Sequence, residues 1–198
     1  MLGSSTAAGA GASAGQGWVS LLAAAYQGTG VTMINLAVGG STSYHALALS
    51  SPAVAGRPAP DARANVDAAL ALLPKLLMLS FPSNDTALGY TVDETVRNLL
   101  AVRQTAVAGG AAVVLLSTQP RVMTAELLAR QPLIDAQLQA AAGPCFVALR
   151  ERLADAQGRL SVTYDSGDGV HPNAAGHALI ATQVRATLDA GQCVKPPQ

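Results

Sequence analysis

The sequence predicts a three-layer α/β/α sandwich around a central parallel sheet of about five strands, and three observations predict it. Short β-branched or aliphatic runs alternate with longer Ala/Leu-rich stretches along the whole chain. The short runs are apolar on both faces, as strands covered by helices on both sides must be. The longer stretches carry their apolar residues at helical spacing. Such alternation joins neighbouring strands through right-handed helical crossovers and so builds a layered sheet.

The elements follow in chain order. Met1 and Leu2 are all that stands before the first polar loop, so either the first strand is short or residues upstream of it have been removed or lost. VTMINLAV (31–38) is the next strand candidate and runs into the glycine pair Gly39–Gly40. LLMLSF (76–81), AAVVLLSTQP (111–120) and CFVAL (145–149) complete the set. Helices are expected over 16–27, 61–73, 91–108, 124–141 and 174–189. The stretch DETVRNLLAVRQTAVAGG (93–110) shows why: its apolar residues recur at helical intervals and it ends on glycines. With 198 residues, no repeat and no linker beyond the Pro/Ala-rich loop 52–60, the chain reads as one domain, 1–198.

Composition excludes several kinds of partner. Half of the residues are hydrophobic and 12% are charged, which argues against extended disorder. Twelve basic side chains balance 12 acidic ones, and no Lys/Arg run suggests nucleic acid as a partner. No apolar run approaches the roughly 18 residues a membrane span needs. MLGSSTAAG has neither the charged start nor the apolar stretch of a signal peptide. Cys145 and Cys193 lack metal-like spacing; either they pair across the fold or they stay free and buried.

Chemistry in such sheets collects at loops beyond the C-terminal ends of the strands. GSSTAAG (3–9), GGST (39–42) and PSNDT (82–86) occupy three of these ends. Read singly, each has an ordinary explanation: Ser and Gly are common loop residues, Gly39–Gly40 suits a tight turn, and Asn84–Asp85 suits a helix cap. The segment DSGDGVHPN (165–173) is sharper, because Asp168 and His171 can share one turn and leave one imidazole nitrogen free as a base. His45 and His177 have no acid at such a distance and read as structural. Tyr44, Phe81, Met123 and Leu127 are either pocket-lining or plain core.

Ser, Gly, Asn and His, in that order and each at a strand-end loop, resemble the SGNH hydrolases, also called the GDSL esterase/lipase family. The resemblance runs from LGSSTAAG to DGVHPNAAGHALIA. Its last block is the most specific: the family's D-x-x-H-P-N stands here as Asp168-Gly-Val-His171-Pro-Asn. N-x-x-x-x-G is matched by Asn35 to Gly40. The third block, normally G-x-N-D, reads Pro82-Ser-Asn84-Asp85, and the first, normally G-D-S-L, reads Gly3-Ser4-Ser5-Thr6. Ser4 and Pro82 therefore depart from the pattern. The family places a glycine four residues after its nucleophile, and Gly9 lies four after Ser5.

That resemblance implies a flavodoxin-like fold and hydrolysis of carboxylic esters through an acyl-enzyme. Ser5 would be the nucleophile, His171 the base and Asp168 its partner. The N–H groups of Ser5 and Gly40 and the amide of Asn84 would form the oxyanion hole. It implies no metal and no organic cofactor, and a small-molecule ester as the partner. Short acyl groups, acetyl to about hexanoyl, are the expected substrates by fold-level analogy. Carbohydrate O-acetyl esters, lysophospholipids and thioesters are the family's other options. The cysteines and the family's habits lean towards a secreted or periplasmic location over a cytoplasmic one. A binding module with a decayed site is the rival class. A nucleotide binder is set aside because no G-x-G-x-x-G or Walker-type loop follows the first strand.

Overall fold

The computed structural model describes residues 1–81 and 83–193. Among them, four strands form one parallel sheet in the order β1 (Leu2–Gly3), β2 (Leu76–Ser80), β3 (Ala112–Leu116) and β4 (Phe146–Val147). The α-helices of the described residues lie between and around these strands: α1 (Ser5–Ala8), α2 (Trp18–Ala25), α3 (Ser43–Ala46), α4 (Val66–Leu70), α5 (Asn84–Ala87), α6 (Val92–Ala108), α7 (Ala125–Leu128), α8 (Arg130–Ala142), α9 (Arg150–Leu153) and α10 (Ala174–Asp189).

Successive strand residues point to opposite faces, and here both faces are apolar. Leu77, Leu79, Val113 and Leu115 pack on one side against Val66 of α4, Val96, Leu99 and Val102 of α6, and Ile134 and Leu138 of α8. Met78, Val114, Leu116 and Val147 pack on the other against Trp18 and Leu22 of α2 and Ile180 and Val184 of α10. These are the three layers that the sequence predicts.

Four strands stand where about five were expected. The difference is VTMINLAV, which is extended but is not a regular strand. It still runs beside β1: the Met1 nitrogen donates to Ile34 O at 2.9 Å, Leu36 N–H to Met1 O at 2.9 Å and Val38 N–H to Gly3 O at 3.1 Å. The strand beside it is two residues long. The Asn35 side chain also turns back on the segment, accepting from Ala37 N–H and donating to Ala7 O. Both features work against a regular ladder.

Two helices are shorter than their apolar pattern suggests. The 61–73 stretch yields only Val66–Leu70, capped by the Asn65 side chain, which accepts from Ala68 N–H. The 124–141 stretch breaks at Ala129 into α7 and α8. Pro132 is the cause. Its ring would strike the carbonyl four residues back if one helix ran through, and it is tolerated only in the first turn of a new one. The final helix has its predicted bounds, with Asn173 as N-cap accepting from Gly176 N–H.

The sheet's two ends differ. At the N-terminal end a cavity of about 590 Å³ is lined by Met1, Met33, Ile34, Leu36, Leu76 and Leu188, among others. Near it Cys145 and Cys193 form a disulfide, with Cα atoms 5.2 Å apart, which decides between the pairing and free thiols. The C-terminal end gathers the polar loops. No helix among the described residues is long and apolar enough to cross a membrane.

Candidate active site

β1 delivers Ser4 and Ser5 to that polar end. Ser4 is buried, its N–H donating to Ser80 O at 3.1 Å, and it serves as the N-cap position of α1. Ser5 is half-buried, and its Oγ lies 2.8 Å from His171 Nε2. Of the two serines, Ser5 is therefore the one in hydrogen-bond contact with the imidazole. As the first residue of α1, it also has a backbone N–H without an intrahelical acceptor.

His171 and Asp168 share a turn built by neighbouring polar groups. Asp165 Oδ1 accepts from the N–H groups of Gly167 and Gly169, and Asn173 Nδ2 donates to the carbonyls of Thr163 and Asp165. Asp168 Oδ1 accepts from Val170 N–H and His171 N–H, each at 2.8 Å, while Oδ2 lies 2.6 Å from His171 Nδ1. Burial pushes the Asp168 carboxyl upward, but the backbone and imidazole bonds from His171 and the Val170 N–H outweigh it and hold it at about 2. An ionised carboxylate can only accept, so Nδ1 carries the imidazole proton and Nε2 is left to accept from the Ser5 hydroxyl.

The chain approaches this histidine closely from α1's side. Gly11, at φ +91°, lies so near that a Cβ there would sit 2.2 Å from Pro172 O and 2.9 Å from His171 Cβ. Gly11 thus allows the backbone to pass close to the His171 turn. His177, buried within α10, fastens the same loop. Its Nδ1 accepts from Trp18 N–H at 3.1 Å and its Nε2 donates to Ala10 O at 2.9 Å, and burial favours the neutral ring. His45 is structural too, accepting from Thr42 N–H at the start of α3.

The remaining two sequence-predicted residues, Gly40 and Asn84, come from the Gly39–Gly40 turn and the start of α5. The Gly39–Gly40 turn faces Ser5, a Cβ on Gly39 falling 3.9 Å from Ser5 Cβ, and Gly40 has a φ of +80° in open space. Asn84 begins α5, and its Nδ2 donates to Ser41 O at 2.9 Å. Behind it Asp85 clamps the two loops together, accepting from Ser43 N–H at 2.9 Å and from the Ser43 hydroxyl, which Asn98 also contacts. Burial raises the Asp85 carboxyl to about 6 against the pull of the Ser43 bonds. Pro82 lies outside the described residues. Tyr44 and Phe81 prove to be core, and Tyr44 OH donates to Glu94 at 2.6 Å; Met123 and Leu127 are half-buried.

One part of this region has no motif: the loop after β3. Ser117, Thr118, Gln119 and Pro120 are buried, although the sequence reads as strand through 120. Gln119 Nε2 donates to Val170 O at 2.5 Å and Val122 N–H to Gly169 O at 2.7 Å, so the loop backs the Asp168–His171 turn. The available signal was the change from an aliphatic run to Ser-Thr-Gln, which a strand buried on both faces would not continue. Among the described residues no three His, Cys, Asp or Glu side chains converge as a metal site requires.

A parallel sheet with hydroxyl, imidazole and carboxylate aligned at its C-terminal edge defines a class, that of α/β acyl hydrolases. The model of the GDSL-like lipase/acylhydrolase family matches residues 1–179, and the chain belongs to that family. Among solved structures it is similar to TesA, with a TM-score of 0.70, 25% identity, and coverage of 95% of this chain and 96% of that one. It is similar also to the psychrotrophic esterase EstA from Pseudoalteromonas sp., in a form inhibited by monoethylphosphonate, at TM-score 0.69 and 20% identity over 96% of this chain and 95% of that one. A mutant of the esterase AlinE4 aligns with TM-score 0.60 and 21% identity over 99% and 95% of the two chains. The last two likenesses concern the fold. No curated protein sequence matches the chain.

Proposed function

We propose that this chain is a serine esterase that hydrolyses short-chain carboxylic esters through an acyl-enzyme. The observation that carries the reading is the unbroken hydrogen-bond line from Asp168 through His171 to Ser5, at 2.6 and 2.8 Å. A serine hydroxyl attacks only when a base takes its proton. His171 Nε2 removes the Ser5 proton as Oγ bonds to the ester carbonyl carbon. The carbonyl oxygen becomes an oxyanion, which the N–H groups of Ser5 and Gly40 and the Asn84 amide receive. The imidazolium, held by Asp168, returns the proton to the departing alcohol as the C–O bond breaks. Water repeats the attack on the acyl-serine, giving up its proton to His171, and the acid leaves as Ser5 Oγ is reprotonated.

The preference for small acyl groups is drawn from fold-level analogy. The apolar cavity is at the far end of the sheet, and a second, of about 230 Å³, lies between α2 and α10. Ser5 lines neither of them. A series of p-nitrophenyl esters from acetyl to dodecanoyl tests the reading. The expected kcat/KM is highest between acetyl and hexanoyl, and the His171→Ala variant is expected to fall by several powers of ten. Higher activity on acetylated sugars or on thioesters than on these esters would move the assignment within the family. His171→Ala with parental turnover would remove the mechanism.

A further inference from the structure

Arg121 stands at the rim of the site with no place in the four sequence blocks. Its loop is fixed at both ends. Thr118 N–H and Oγ1 donate to Asp135 at 2.6 and 2.9 Å, and Arg150 Nε reaches the same carboxylate at 2.8 Å. Gln131 Nε2 donates to Gln119 O at 2.8 Å, and Val122 N–H to Gly169 O. From this anchored loop Arg121 Nη1 donates to Asn84 Oδ1 at 3.3 Å. Burial works against the guanidinium charge and the nearby Asp168 works in its favour. Among the described residues Arg121 forms no ion pair within 4.0 Å, so its charge is not spent on a carboxylate contact.

The contact decides which way the Asn84 amide faces. With Nδ2 on Ser41 O and Oδ1 on Arg121, one amide N–H is used and the second is free. A flipped amide would set its NH₂ against the guanidinium and its oxygen against the Ser41 carbonyl, donor on donor and acceptor on acceptor. We propose that Arg121 is a positioning residue for ester hydrolysis: it locks the Asn84 carboxamide with its free N–H towards the oxyanion. The inference rests on the reading of Asn84 as an oxyanion donor. Because negative charge appears on that oxygen only during reaction, the effect belongs in kcat and not in KM.

The test uses Arg121→Leu, Arg121→Gln and Arg121→Lys in the full chain, with p-nitrophenyl acetate as substrate. Arg121→Leu is expected to lower kcat roughly tenfold, less than loss of an oxyanion donor itself, with KM within about twofold. Arg121→Lys, which keeps charge and donor, should recover most of that loss, and Arg121→Gln less. In an Asn84→Ala background the Arg121→Leu effect should shrink to about twofold or less, since the residue acts through Asn84. The acidic limb of the kcat/KM profile should also move to higher pH when the positive charge near Asp168 is removed, a shift that loss of packing alone would not give.

If Arg121→Leu does not fold, the order of Lys above Gln decides the matter by itself. Parental kcat in all three variants, or an undiminished Arg121→Leu effect in the Asn84→Ala background, overturns the role of Arg121 while an inactive Ser5→Ala leaves the esterase reading intact. An active Ser5→Ala variant removes that reading instead.

Discussion

The two ends of the sheet teach opposite lessons about where function resides. The N-terminal end holds the large, mainly apolar cavity and the disulfide. The C-terminal end has a line of short hydrogen bonds joining residues up to 166 apart in sequence, and its walls are backbone turns and small side chains. Cavity size alone would direct attention to the N-terminal end. What marks the other end is convergence: a carboxylate held near pKa 2, an imidazole with one free nitrogen and a hydroxyl within 2.8 Å of it. Changes at the polar end should therefore affect rate, and changes at the apolar end should affect stability.

The largest effect expected is from Ser5→Ala, which should reduce kcat by about 10⁴-fold or more on p-nitrophenyl acetate while circular dichroism stays unchanged. A stable variant with parental turnover would erase the contrast between the ends. Asn84→Ala comes next, with a kcat lower by about 100- to 1000-fold, roughly 3–4 kcal/mol of transition-state stabilisation.

At the other end, replacing both Cys145 and Cys193 by serine should cost about 2–4 kcal/mol in urea unfolding, because the bridge closes a loop of 48 residues. Ester turnover at 25 °C should remain within about twofold, since the bridge stands away from Ser5. Leu76→Ala, at the cavity wall, should lower stability by about 2 kcal/mol and leave kcat/KM unchanged. A drop in rate that tracks either stability loss would show that the ends are coupled.

How much of this was legible beforehand depends on the range of the interactions. Asp168 and His171 are three residues apart and one turn decides their contact, so spacing suggested the pair and the motif order gave it a role. Ser5 could be joined to them only by the motif order, because nothing local in GSSTAAG indicates a partner in the final fifth of the chain. The layers were legible because β2 and β3 are apolar on both faces. VTMINLAV was not, since its regularity depends on the shortness of β1 and on the Asn35 side chain. Arg121 was also illegible: its meaning is a contact with Asn84, 37 residues away, made from a loop whose anchors are Asp135 and Gly169.

The smallest expected effect concerns acid. Asp168 titrates at about 2 here against an ordinary 3.8, so its ionised form favours the fold above about pH 4, and that contribution disappears as pH falls through about 2. Comparing the thermal unfolding of the parent with Asp168→Asn should show a difference that narrows between pH 4 and pH 2. A difference that widens over that interval would contradict the hydrogen bonding assigned to this carboxylate.

The most direct measurement is the mass and location of the adduct formed with a fluorophosphonate probe. The account predicts one adduct per chain, mapped by peptide mass spectrometry to Ser5, and greatly slowed labelling in His171→Ala. An adduct on Ser4, labelling of Ser5 that ignores the loss of His171, or an unmodified chain would each contradict it.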